Sequence, residues 1–352
     1  MQQHFDDLPN IKIQTQWQLR LDHPEPIAYY PKQFAVPAVS RSGNTVIAGS
    51  EHGVLVAVDA RNGRERWSYK TYGKIRSAAV ISGASVYFGA TDGKLYRLDA
   101  RNGSLEWDAP YVTQGAITSA PVVVGNRVLF QNNENRTYAV DTATGQYLWD
   151  QGRPRAAKLT MKGEGGVAVA DGIVYAGYDD GFLTAMRLED GATTWSKNLA
   201  GKAKQFVDVD SRPIIVGDAV YAASYTSGLY CLDRKYGGIR WLYPARGVMT
   251  PGHGDGLLFV ASVGGNLVAL RPENGDVVWR AKFDYAELAG PVFDAGRLWV
   301  TTGDGLLLMD SITGTTTARI TPHNGLAASV AARAGRLYMV TNSGALVGAR
   351  VL

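Results

Sequence analysis

Residues 56–67 read VAVDARNGRERW, and forty residues later 96–107 read YRLDARNGSLEW. The dozen returns as YAVDTATGQYLW ending at Trp149, TAMRLEDGATTW at Trp195, YCLDRKYGGIRW at Trp241 and VALRPENGDVVW at Trp279. A seventh copy, LLMDSITGTTTA, is decayed and ends at Ala318. At 352 residues a length prior of about 150 residues per domain would suggest two domains. A fixed period near forty residues overrides that count and points to one closed object.

The repeat has a physical reading. Before each tryptophan lie two runs of alternating character, such as SVYFGA and KLYRLDA, joined by a glycine turn; such runs form hairpins. Inside the dozen, Asp59 and Gly63 bracket the turn DARNG. The carboxylate accepts turn amides, and glycine supplies a positive φ without steric cost. Trp67 follows in the outgoing strand as a large apolar plate for packing on the neighbouring unit. A further strand comes after each tryptophan, giving four per repeat, the content of a propeller blade.

Counting decides closure. Seven units end at Trp67, Trp107, Trp149, Trp195, Trp241, Trp279 and Ala318, and the C-terminal stretch 326–352 supplies three more strands. The N-terminal IKIQTQWQLRL, residues 11–21, is an orphan strand carrying Trp17. Together they complete an eighth blade and remove the exposed edges that a linear array would leave. The expectation is an all-β, eight-bladed β-propeller of four-stranded antiparallel blades, one domain over 1–352, closed by pairing of the N-terminal strand with the C-terminal blade.

Composition excludes little and supports less. Net charge is +4, with no basic run interleaved with aromatics, so nucleic-acid binding has no positive support. No segment approaches the roughly 18 apolar residues of a membrane span, and no charged-apolar-small leader opens at Met1. The single cysteine, Cys231, forbids an internal disulfide and reads as a small buried hydrophobe.

The motif A-x-D-x-x-T-G-x-x-x-W, clearest from Ala139 to Trp149, resembles the pyrroloquinoline-quinone-type propeller repeat, and the resemblance covers nearly the whole chain. Quinoprotein dehydrogenases and the BamB-type scaffolds of outer-membrane assembly share that repeat. LTMKGEG at 159–165 is similar to the Leu-x-Leu-Arg-Gly-Glu stretch of the BamB family, and FVDVDSRP at 206–213 to its Asp-Val-Asp-x-x-Pro stretch. The resemblance implies a non-enzymatic periplasmic scaffold at the inner face of the outer membrane. It would dock on the POTRA domains of BamA through Leu159, Met161, Lys162, Asp208 and Asp210, and would need no cofactor or metal. Direct contact with unfolded outer-membrane proteins stays open, and any membrane attachment would rest on a lipid anchor outside these residues. Met161 stands where the family has Leu and Lys162 where it has Arg; lysine keeps the charge and loses the planar fork.

Spacing points to the same segments without the family. From a tryptophan to the second strand of the next blade the chain usually spends 17–21 residues, but Trp149 to Val174 and Trp195 to Val220 take 25 each, and Trp17 to Val46 takes 29. Insertions at one repeat position emerge on one face of the ring, often the binding face. If extended, Asp208 and Asp210 share a side, as do Leu159 and Met161. In the alternative, the apolar pair tucks under the loop and the acids cap it. The longest crossover carries Tyr29, Tyr30 and Phe34 among prolines, a rigid aromatic ridge or a simple lid.

Catalytic signatures do not converge. The five histidines are scattered without metal-ligand spacing, and no Gly-x-Ser-x-Gly elbow or phosphate-loop frame is present. A quinoprotein dehydrogenase or a periplasmic sensor built on the same repeat is the alternative; the adjacent cysteines that often accompany the quinone are absent.

Overall fold

The computed structural model describes residues 13–21, 35–154, 165–201, 203, 205–209, 211–284, 288–303, 305–322, 325–326 and 328–351. Those residues form eight four-stranded sheets, each ordered so that sequence neighbours pair, with one exception. Blade 1 is Ala38–Val39, Thr45–Gly49, Val54–Asp59 and Glu65–Lys70. Blades 2 to 7 repeat it over 80–112, 122–152, 167–198, 214–244, 252–282 and 292–320. The exception is blade 8, where Ile13–Arg20 pairs antiparallel with Ala345–Val351, outside Arg336–Val340 and Ala331–Arg333. The two ends of the chain thus share one sheet, as the sequence predicts.

The repeat dozen turns out to be the joint between blades. Five of the repeat tryptophans face a small residue across their own hairpin: Trp67 pairs with Ala57, Trp149 with Ala139, Trp195 with Ala185, Trp241 with Cys231 and Trp279 with Ala269. A backbone bulge follows each pair, which swings the indole toward the next blade. There it lies flat on the glycine of the neighbour's turn. A Cβ on Gly63, Gly103, Gly145, Gly191, Gly237, Gly275 or Gly314 would sit 2.5–2.8 Å from the ring of the preceding blade's tryptophan. Each indole N–H donates into the same turn, Trp17 to the Ala60 carbonyl at 3.1 Å and Trp67 to that of Ala100 at 3.0 Å. Burying one such ring removes roughly 200 Å² from water, worth about 5 kcal/mol before entropy is counted.

Ala318 closes the seventh copy because the socket ahead of it does not exist. In blade 8 the third and fourth strands come from opposite ends of the chain, so no aspartate–glycine turn joins them to receive an indole. The missing volume is moved rather than lost. Ala318 faces Leu308 instead of an alanine, and Trp299 in the second strand of blade 7 packs in the same buried cluster. The thiol of Cys231 occupies the small-residue slot opposite Trp241, buried as expected, and burial pushes its pKa up.

In this strand order the crossovers between blades and the hairpin turns joining second to third strands emerge on one face. The aspartate–glycine turns emerge on the other. The two long connections, between Gly152 and Val167 and between Asn198 and Ile214, join blades 3 to 4 and 4 to 5, so their described ends leave and re-enter adjacent blades on the first face.

Candidate functional site

The described ends of the first long crossover are fixed by side chains of blades 3 and 4. At its start, Arg153 donates from Nε to Asp180 at 2.7 Å and stacks its guanidinium 4.0 Å from the Phe182 ring centre. Asn135 reaches both sides of the joint, donating to the Pro154 carbonyl at 3.2 Å and accepting from the Asp179 amide at 3.0 Å. At its end, the Gly166 amide donates to Gln131 Oε1 at 2.9 Å. Gln131 is buried and its Nε2 donates to the Gly177 carbonyl and to Thr137. Thr137 in turn shares a hydrogen bond with Tyr178, whose hydroxyl pKa burial pushes up to about 12. A buried network this fully bonded holds its members in one arrangement.

The second long crossover threads between the second-to-third hairpin turns of blades 4 and 5. The Val209 amide donates to the Tyr178 carbonyl at 3.1 Å, and the Tyr225 amide to the Asp208 carbonyl at 3.0 Å. Ser211 Oγ accepts from the Ala223 amide. Close packing leaves no room for a side chain on Gly177, where a Cβ would lie 2.1 Å from the Val209 oxygen. Phe206, just before this stretch, is in the left-handed region at φ 54° and sets its ring 6.3 Å from that of Tyr225.

Asp208 is 1% exposed. Its side chain is therefore covered rather than presented at the surface. Leu159, Met161, Lys162 and Asp210 lie outside the described residues, as do Tyr29, Tyr30 and Phe34. Sequence reasoning missed Gln131, Asn135, Arg153 and Phe206. Asn135 carried a signal, since a non-glycine residue at φ 60° in the hairpin NNENR is a turn-former's position. Among the described residues no group of three or more His, Cys, Asp or Glu is placed to hold a metal ion, and no helix is long and apolar enough to cross a membrane.

Residues 14–114, 73–281 and 244–351 match the family described as "Outer membrane protein assembly factor BamB". The chain belongs to that family. The BamB of Legionella pneumophila (strain Paris) is 27% identical over 198 residues, 54% of this chain and 52% of that protein. The match thus spans about half the length of the curated relatives. BamB from Moraxella catarrhalis superposes with a TM-score of 0.82 at 21% identity, over 96% of this chain and 100% of that one. The quinohemoprotein alcohol dehydrogenase of Comamonas testosteroni superposes at 0.74 and 14% identity, over 96% and 76%. At those identities the likeness is one of fold: an eight-bladed ring serves both an assembly factor and a dehydrogenase.

Proposed function

We propose that this protein is a non-enzymatic scaffold of outer-membrane protein assembly, working in the periplasm and docking POTRA domains of a BamA-type partner on its crossover face. The observation that carries the reading is the pair of long adjacent crossovers, their described ends bonded into blades 3, 4 and 5 in a member of the BamB family. Rigid feet lower the ordering cost of a binding loop. Leu159, Met161, Lys162 and Asp210 make the contact, and Asp208 supports it from below.

The test is calorimetric titration with the POTRA array of the same organism. Wild type is run beside Leu159→Asp/Met161→Asp, with circular dichroism confirming both folds. A charge at Asp208 is avoided, because a buried position confounds folding with docking. Binding by wild type alone is the expected result. Equal binding by both moves the interface elsewhere, and no binding by wild type rejects the partner.

A further inference from the structure

Beside the second long crossover, two surface depressions run into one another on the crossover face. The first is lined by Gln205, Phe206, Tyr225, Thr226 and Arg246. Arg246 also lines the second, which continues over blade 6 past Tyr243 and Val263 to Arg280 and Lys282. No carboxylate lines either one. Arg246, Arg280 and Lys282 are exposed, and none makes an ion pair with a carboxylate among the described residues; Lys282 donates instead to the Gly264 carbonyl. Arg240, near the start of the Ile239–Pro244 strand whose other end lines the groove, shows the contrast: it is held by both Asp218 and Asp233.

We infer that this groove is the second half of the docking surface, and that it takes an acidic, extended segment of the same partner. The inference rests on the docking reading given above. Three cations without counter-charges leave a positive strip whose complement is a run of carboxylates. Planar guanidinia suit carboxylate pairs. Phe206 and Tyr225 form the apolar end, a cleft for one aliphatic or aromatic side chain. The backbone of Phe206 points the same way. A bulky residue in the left-handed region is a strained choice that glycine would relieve, and here it places the ring at the rim of the groove. Continuity matters as well: the groove begins at Gln205 and Phe206, the residues that lead into the Asp208 stretch, so a partner held by the crossovers lies over it.

Two variants separate docking from structure. Arg246→Glu/Arg280→Glu changes only exposed groups and keeps the fold. In titration with the POTRA array it should bind at least tenfold more weakly than wild type and show a flatter dependence on salt. Phe206→Gly should weaken binding several-fold while its thermal midpoint stays level or rises, since glycine accepts that φ; a merely structural ring would lower the midpoint instead. Wild-type affinity and salt slope in the arginine variant, with binding lost in Leu159→Asp/Met161→Asp, would overturn the groove and leave the scaffold reading standing. Failure of wild type to bind would reject both.

Discussion

At the scale of single residues, the joint between blades is a glycine under a tryptophan. Gly63 has φ 70° and its Cβ would fall 2.5 Å from the Trp17 ring. Gly43 has nearly the same backbone, φ 71°, with nothing within 4 Å. The pair separates two effects that usually travel together. Gly43→Ala carries only the left-handed penalty of about 1–2 kcal/mol. Gly63→Ala adds displacement of a packed indole, a further 1–3 kcal/mol or so. Urea midpoints should therefore fall much further for Gly63→Ala, with the slope unchanged in both. Equal midpoints would mean that the indole shifts freely and that the joint is soft.

Among the elements, the repeat hairpin was legible from its letters, and the long crossovers only from their lengths. Asp, Gly and Trp recur because a turn, a positive φ and a docking plate are each local demands that few residues meet. The feet of the crossovers are different. Gln131, Asn135 and Arg153 reach from blade 3 toward blade 4, to Gly166, Asp179 and Asp180, and no local pattern announces a partner so far away in sequence. Ala318 was legible as a departure, but its reason needed the closed ring, because only closure shows that the next turn is missing. The buried position of Asp208 was equally hidden: alternation places it beside Asp210 only if the backbone is extended, and Phe206 bends it first.

The aspartate turn makes its own prediction. Asp99 accepts the Arg101 guanidinium and the turn amide, which holds its carboxyl down at about 2. In blade 3 the Thr144 amide and hydroxyl do the same for Asp141 without an arginine, and Asp59, Asp233 and Asp310 are lowered too. A carboxyl whose folded pKa lies below its unfolded value of about 3.9 stabilises the fold above that pH. The contribution disappears as pH falls through the folded value. Tryptophan fluorescence should accordingly show little change in urea midpoint from these groups between pH 8 and 5, then a steep fall between about pH 4 and 2. Asp141→Asn keeps an oxygen for the turn amides and removes the titration, so its midpoint should fall less steeply over that window. An identical acid profile would show that these turns do not govern acid unfolding.

For the whole ring, the uneven joint is the one between blades 7 and 8. Seven joints carry an indole on a glycine with its N–H bonded across the gap. The remaining joint relies on side-chain packing of Trp299, Leu308 and Ala318 with Leu337, Met339 and Val347. Blade 8 is also the one blade whose outer strand is not joined to its neighbour by a turn. Native proteins open along their least stabilised units, and a ring can open only by parting one joint. Hydrogen exchange under native conditions should thus release the amides of 297–309 and 336–351 before those of 127–141 and 173–187, which sit between fully docked neighbours. Trp17→Ala removes the dock on the other side of blade 8 and should speed exchange in that blade further, whereas Trp149→Ala should act mainly on blades 3 and 4. Uniform protection around the ring, unchanged in order by Trp17→Ala, would mean instead that the eight blades unfold as a single unit and that the side-chain joint is as strong as an indole dock.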